Sequence, residues 1–493
     1  MEIVTEKKVP FFKKYGMLIA LLVLAAIFAL PTPTELPTAG HRMLGILVFA
    51  VIIWLTEAVS YPVSAAILSL LMIICVGFSP QVGKPDVIYG TGSALKMAFM
   101  GISASATILV GAALFLAAAM TQTGLDKRIA LFILSRIGSK TNRLVAGMIL
   151  VGIILAFLVP STTARVGCMV PVILGIVSAF GMKTGSRLAA LLMVVTIQTG
   201  SIWNTGIKTA AAQNMVTMGF IERLLDGNIS WMQWFIAAAP FAIVMSIILY
   251  FIAMYMLPPE LDEIKGGAET IKAKLEELGA VTPAEKKLLA ISAGLILLWV
   301  TEGFLHNFDT TTTTILAVTL MLLPWTGIMT WKQAESHISW GTLMLLGVGI
   351  SMGSALLTTK AAQWLANEIS VGMGLADASI FGVFAVISLF IIIIHLGFAS
   401  GSAIASAMIP IVIALLQGLP LEGLNIVGLT MVFHFVINFG FILPVNTPQG
   451  ILAFATDTFS AKDCMKVGIP LTIVGYIMLL VFSQTYWKVL GIF

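Results

Sequence analysis

The stretch RLVAGMILVGIILAFLVPSTTARVGCMVPVILGIVSAF, residues 143–180, decides how this chain is read. A membrane helix needs about 20 apolar residues to cross the hydrocarbon. This stretch is far longer than that, and Pro160, Ser161, Thr162 and Thr163 interrupt it midway. Two half-length helices joined by a tip, entering and leaving on the same side, fit such a pattern. Residues 377–417, DASIFGVFAVISLFIIIIHLGFASGSAIASAMIPIVIALLQ, repeat it, with Ser400, Gly401 and Ser402 at the break. The pair predicts two re-entrant hairpins.

Composition agrees that the solvent is lipid. Of 493 residues, 59% are hydrophobic and 10% charged, with mean hydropathy +1.04. A soluble domain carries roughly a quarter charged residues, too many to reconcile with this chain. Further candidate spans are 15–31, 42–60, 62–80, 96–121, 186–220, 231–257, 286–304, 312–327, 338–358, 424–459 and 466–488. The expected class is therefore an all-α integral membrane protein of about 11 transmembrane helices plus two hairpins.

Charge placement sets the expected topology. Lys7, Lys8, Lys13 and Lys14 precede the first apolar run, which reads as an uncleaved helix with a cytoplasmic N-terminus. With both hairpins re-entrant, Lys127, Arg128, Arg136, Lys140, Arg143, Lys183, Arg187, Lys462 and Lys466 fall on the cytoplasmic side and the C-terminus outside. Read as full spans, the two stretches would place many of these on the wrong side. The polar segment 258–287, with Glu260, Asp262, Lys265, Lys272 and Glu276, reads as a cytoplasmic interfacial linker with a solvated face. Cys75, Cys168 and Cys464 have no disulfide or metal spacing, and no basic patch suggests nucleic acid.

The halves resemble each other. Trp54-Leu55-Thr56-Glu57 recurs as Trp299-Val300-Thr301-Glu302, Ser161–Ala164 aligns with Ser400–Ala403, Met169-Val170-Pro171 with Met408-Ile409-Pro410, and Asn204-Thr205-Gly206 with Asn446-Thr447-Pro448. An odd number of spans in the first unit would turn the second over, giving the inverted repeat typical of secondary transporters.

Four breaks carry the candidate site: the tips Ser161-Thr162-Thr163 and Ser400-Gly401-Ser402, and the interruptions Thr199–Gly206 and Pro444–Pro448. Breaks free backbone N–H groups at helix N-termini, where anions are favoured, and hydroxyls add rotatable donors. Two facing tips would suit an anion with a carboxylate at each end. Taken singly, each Ser or Thr more often bonds back to its own helix. The candidate ligand-binding residues are Ser161, Thr162, Thr163, Asn204, Thr205, Gly206, Ser400, Gly401, Ser402, Asn446, Thr447 and Pro448.

At these residues the chain resembles the divalent anion/sodium symporter family, in its dicarboxylate exchanger branch. Gly124-Leu125-Asp126-Lys127-Arg128-Ile129-Ala130-Leu131, Trp340-Gly341-Thr342-Leu343 and Leu443-Pro444-Val445-Asn446-Thr447-Pro448 carry the likeness, which covers nearly the whole chain. It implies a homodimer in which a transport domain slides against a scaffold, the elevator mechanism. On that plan 1–14 is a cytoplasmic N-terminus and 15–142 scaffold. Hairpin and broken helix of repeat 1 occupy 143–220, scaffold with the linker follows over 221–376, and 377–493 holds the hairpin, broken helix and last helix of repeat 2.

Departures from the family pattern are informative. Tips of sodium-coupled members typically read Ser-Asn-Thr; both asparagines are missing here. The first broken-helix loop, Asn204-Thr205-Gly206-Ile207-Lys208, lacks the usual Thr-Pro-Pro-Asn run. Two cations instead follow the breaks, Arg165 and Lys208, whose repeat partners Ile404 and Gly450 are uncharged. An intramembrane charge costs about 2.5–3.5 kcal/mol or more at a helix centre, so each needs a partner or a wet cavity. As charge-compensating groups they would replace bound sodium, and a cation that cannot leave the empty site makes exchange obligatory; snorkelling to the cytoplasm is the alternative. Glu57 and Glu302 read as structural hydrogen-bonding groups, with a proton relay as the alternative. His395 and His434 read as satisfied polar groups, with protonation sensing as theirs.

The expected function is sodium-independent exchange of dicarboxylates such as succinate, malate or 2-oxoglutarate in the cell membrane, without a cofactor. The alternative is a sodium-coupled di- or tricarboxylate symporter. An enzyme is disfavoured, for the sequence offers no metal set, no nucleophile with a base and no phosphate loop; a channel rarely carries paired tips within one repeated chain.

Overall fold

The computed structural model describes residues 11–179, 181–263, 267–375, 378–419 and 423–493. Lys7, Lys8 and Lys265 lie outside these, as do the last residue of the first hairpin stretch and the boundary at 376–377. Among the described residues, eight helices are long and apolar enough to cross a membrane, and shorter apolar helices accompany them. Among the described residues the regular structure is helical apart from a small antiparallel ribbon, Pro80–Gln81 with Lys84–Ile88, and two isolated bridges. The ribbon cuts short the span read at 62–80, which is a Tyr61–Leu71 helix ending in the π-helical turn Met72–Val76. Arg42 donates to Cys75 O at 2.8 Å, supplying a donor to that turn.

Packing divides the chain into two compact units. The first comprises Met1–Ala104, Trp340–Asp377 and Gly397–Leu421. At its centre the Trp340–Thr358 helix meets the Tyr61–Leu71, Thr91–Phe99 and Gly401–Gly418 helices. Glycine permits the approach: a Cβ on Gly101 would lie 2.0 Å from Gly347 O, and one on Gly349 would lie 2.1 Å from Ser406 Oγ. Small residues of this kind let membrane helices pack backbone to backbone.

The second unit comprises Ser105–Ser339, Ala378–Leu396 and Glu422–Phe493. The Arg187–Gly206 helix runs through it, buried from Leu188 to Gly206 and packed against Thr141–Leu158, Thr162–Ala179 and Trp231–Met256. A helix apolar on every side belongs in such an interior. Here the structure corrects the reading of 199–206 as an interruption. Helix continues through Gly206, and the break is Ile207–Ala211, before the Ala212–Leu224 helix. Within the Arg187–Gly206 helix the hydroxyls of Thr196 and Ser201 are satisfied by donating back to Leu192 O and Ile197 O. The second break does fall where expected, as the 3₁₀ turn Pro444–Asn446 between Ile426–Ile437 and Pro448–Phe454.

Both long stretches are broken helices. Thr141–Leu158 gives way to Thr162–Ala179, and Ile380–His395 to Gly401–Gly418. The tips are built alike: Ser161 Oγ accepts from Ala164 N and Ser400 Oγ from Ala403 N, each at 3.3 Å. Each tip helix carries an internal proline, Pro171 or Pro410. The repeated tryptophans also behave alike. Trp54 Nε1 donates to Ser64 Oγ at 3.1 Å and Trp299 Nε1 to Thr314 Oγ1 at 3.3 Å.

The polar segment between the halves holds the helix Gly267–Glu277, packed on Leu125–Ile137 and Thr162–Ala179. Arg128 fastens it, donating to Glu285 Oε1 at 2.6 Å and to the carbonyls of Gly279 and Leu278. The Glu260 carboxylate accepts from Arg187 N and Leu188 N, capping the central helix from the same segment.

Candidate functional site

Three of the four expected site segments lie in the second unit. Around the first tip and first break the centre is Arg165, buried to 3% exposure one turn beyond Ser161. Its Nη1 donates to Val159 O at 2.9 Å and Ala210 O at 3.0 Å. Its Nη2 donates to Asn204 Oδ1 at 2.7 Å and Thr162 Oγ1 at 3.2 Å. Thr162 in turn donates to Asn204 Oδ1 at 2.6 Å. Tip, break and cation are thus one cluster, and every acceptor of the guanidinium is a neutral oxygen. Nε has no hydrogen-bond partner. A buried charge with neutral neighbours and an unused donor is costly unless an anion completes it.

Ser161 and Thr163 flank this cluster, half-buried, at the N-terminus of the Thr162–Ala179 helix. A cavity of about 10 Å³ lies beside it, lined by Pro160, Thr209 and Ala211, room for about one water. Thr205 and Gly206 form the end of the central helix. Thr205 O accepts from Trp234 Nε1 at 2.9 Å, and Gly206 lies against the Trp203 ring.

Lys208 faces elsewhere. Its ammonium, 4% exposed as a residue, donates to Ile229 O at 2.6 Å and to Thr310 Oγ1 at 3.4 Å. Thr310 passes the contact on, donating to Glu302 Oε2 at 2.7 Å. The ammonium borders a cavity of about 260 Å³ whose walls include Glu222, Glu302 and Asp309. Asp309 caps the Thr310–Leu322 helix. Partial burial alone would raise its carboxyl, but hydrogen bonds from the Thr312 side chain and the Thr312 and Thr311 amides outweigh that and hold it below the usual range.

The second break is tied to its own hairpin. Asn446 Nδ2 donates to His395 O at 2.9 Å and Leu396 O at 3.2 Å, the last residues before the second tip. Asn204 and Asn446, matched in the repeat, therefore both bind the break to the hairpin of their own half. Thr447 caps the helix opened by Pro448, accepting from Gly450 N at 3.2 Å. Both ring nitrogens of His395 are buried without partners, whereas His434 is bonded at both. The tip Ser400-Gly401-Ser402 belongs to the first unit, where Ser400 and Ser402 are buried.

Sequence reasoning passed over Asn214, Trp234, Gln198 and Gln449. Asn214 and Trp234 satisfy the carbonyls of the first break, Gln198 donates to Phe441 O at 2.8 Å, and Gln449 donates to Ser201 Oγ at 3.2 Å. Their signal was available: amides in an apolar background need partners.

Residues 12–493 match the family model described as the sodium:sulfate symporter transmembrane region. A protein of Cupriavidus necator named only as a membrane protein is 49% identical, across 97% of this chain and 93% of that one. The citrate/succinate antiporter of Escherichia coli K12 is 26% identical, across 97% of this chain and 98% of that one. Among solved structures the YdaH transporter of Alcanivorax borkumensis matches with a TM-score of 0.56 at 14% identity, covering 86% of this chain and 97% of that one, a likeness of fold.

Proposed function

Because the chain belongs to the sodium:sulfate symporter transmembrane-region family, a family of multi-pass membrane transporters, we propose that it exchanges small dicarboxylates without sodium. The single observation that carries this reading is Arg165: a buried guanidinium bonded to four neutral oxygens, with Nε free. The charge lacks a carboxylate where the resemblance expects the ligand, and an incoming dianion completes it. The antiporter name of the Escherichia coli relative supports the same mode.

In this reading the chain's residues act as follows. The guanidinium offers Nε and its fixed charge to one carboxylate, and the N-terminus of the Thr162–Ala179 helix adds amide donors and a favourable dipole. Thr162 and Asn204 hold the guanidinium in place. Segments 143–220 and 377–493 then move as the transport part of a homodimer, against a scaffold made of the rest. An unloaded site keeps a buried cation that resists crossing, so return needs a second dianion. Lys208, turned to the acid-lined cavity, is neutralised chiefly by Glu302 through Thr310, and the compensating charge at the anion site is Arg165.

Purified protein in liposomes preloaded with succinate tests this. Labelled succinate should enter only preloaded vesicles, equally in sodium and in choline. Uptake into empty vesicles driven by a sodium gradient would instead establish the sodium-coupled alternative.

A further inference from the structure

We infer that Asn214, backed by His434 and Thr217, is a positioning residue for this anion site, a role that rests on the exchange reading above. The first break leaves carbonyls without helical partners. Three of them, Asn204 O, Ile207 O and Lys208 O, converge on one atom, Asn214 Nδ2, at 2.8, 3.0 and 3.2 Å. Only the amide nitrogen can face three acceptors, so the orientation of the side chain is set and Oδ1 points the other way.

There Oδ1 meets His434 Nε2 at 2.7 Å. An amide oxygen has no hydrogen, so Nε2 must carry one. The neutral imidazole then has a bare Nδ1, which accepts from the Thr217 hydroxyl at 2.7 Å. Asn214, Thr217 and His434 are each fully buried. Every proton in the relay is accounted for, and it runs from hydroxyl to imidazole to amide to broken backbone. His434 stands on the Ile426–Ile437 helix that leads into the second break, while Asn214 and Thr217 stand on the helix that leaves the first. A helix of one repeat therefore fixes the break of the other.

Asn204 converts this into function. Its backbone carbonyl is held by Asn214, and its side-chain oxygen holds Thr162 and Arg165. A shift of a few tenths of an ångström in the Asn204 backbone lengthens both side-chain bonds and lets the guanidinium turn. Dicarboxylate affinity thus depends on three buried residues that aim the binding group without being part of it.

The test is succinate counterflow with the full chain in liposomes, measuring half-saturation and maximal rate, alongside thermal stabilisation by succinate in detergent. Each lost buried hydrogen bond is worth roughly two- to tenfold. Thr217→Val, which keeps the shape of the side chain, should raise half-saturation about threefold. Asn214→Ala and His434→Leu should raise it about tenfold or more, with smaller effects on maximal rate. His434→Gln, able to donate from Nε2 and accept at Oε1, should lie close to wild type. A merely structural role would instead lower the amount of folded protein and leave half-saturation where it was. Unchanged half-saturation in Thr217→Val and in folded Asn214→Ala overturns the proposal alone; if Asn214→Ala fails to fold, Thr217→Val decides. A wild type that neither exchanges succinate nor is stabilised by it overturns the exchange reading, and this proposal with it.

Discussion

Arg165 Nη2 lies 2.7 Å from Asn204 Oδ1, joining the residue just past the first tip to a residue in the last turn of the central helix. The contact crosses 39 positions of sequence and is buried. It makes the geometry of the first break a property of the cation. Because the asparagine oxygen also accepts from Thr162, both of its lone pairs are committed and it cannot follow the guanidinium elsewhere. On the proposed function, the site is preorganised around a charge whose partner is the ligand.

Removing that charge should weaken exchange sharply. A charged hydrogen bond is worth about 1.5–3 kcal/mol, so Arg165→Ala should raise succinate half-saturation by roughly ten- to a hundredfold. Arg165→Lys keeps the charge but cannot reach four oxygens with a planar fork, and should fall between. Counterflow at several succinate concentrations measures this, and wild-type exchange by Arg165→Ala would remove the proposed function's main support.

Lys208 should behave differently. Its bonds run to Ile229 O and Thr310, with Glu302 behind. Lys208→Met leaves the acidic cavity wall without its cation and should destabilise by about 1.5–3 kcal/mol, the range for losing hydrogen bonds from a charged group. Adding Glu302→Gln should recover most of the stability and exchange, because the charge left behind is then gone. A double mutant that folds as wild type yet does not exchange would return Lys208 to the anion site. Thermal unfolding and counterflow on the four proteins of the cycle decide.

Asp309 links the same cavity to pH. Its carboxyl is held below the ordinary range by the Thr312 and Thr311 donors despite partial burial. A depressed folded-state pKa means the folded protein holds the ionised form more tightly than the unfolded chain does. The stabilisation is therefore complete above the unfolded value near 4 and is lost as pH falls below it. Asp309→Ala also removes the cap of the Thr310–Leu322 helix and should cost about 1 kcal/mol at neutral pH. Apparent Tm from pH 3 to pH 7 should show the wild-type advantage over Asp309→Ala shrinking toward the acid end.

Much of the architecture was legible because lipid leaves few options. The broken stretches 143–180 and 377–417 announced themselves by length, whereas the caps that Ser161 and Ser400 form there emerge only from the structure. The first break was misplaced by one turn. The run Thr199–Gly206 looks like a place to unwind, but a backbone inside a membrane protein unwinds only where donors and acceptors wait for it. Those begin to dominate at Ile207, where Asn214 Nδ2 donates to the freed carbonyls. Such donors lie further along the chain, so no local pattern reveals them. Burial of Arg165 and Lys208 was foreseen, yet their different surroundings were not, since direction is a property of packing.

The second break offers the sharpest test of how tightly backbone must fit. Gly468, in the Ala461–Gln484 helix, lies so near the second break that a Cβ there would sit 2.1 Å from Phe441 O. That carbonyl is the acceptor for Gln198 Nε2 at 2.8 Å, a bond between the central helix and the chain entering the second break. Gly468→Ala must move backbone, since no flexible side chain stands in the way, and overpacking of this kind costs about 1–3 kcal/mol. The displaced carbonyl would lose Gln198, and the turn that orients Asn446 and Thr447 begins three residues later at Pro444. Gly468→Ala should therefore lower exchange more than Gly294→Ala, a substitution at a helical glycine with open space around its Cβ position. Equal exchange rates for the two variants, normalised to folded protein, would mean that the second break tolerates movement and that the site is not rigid there.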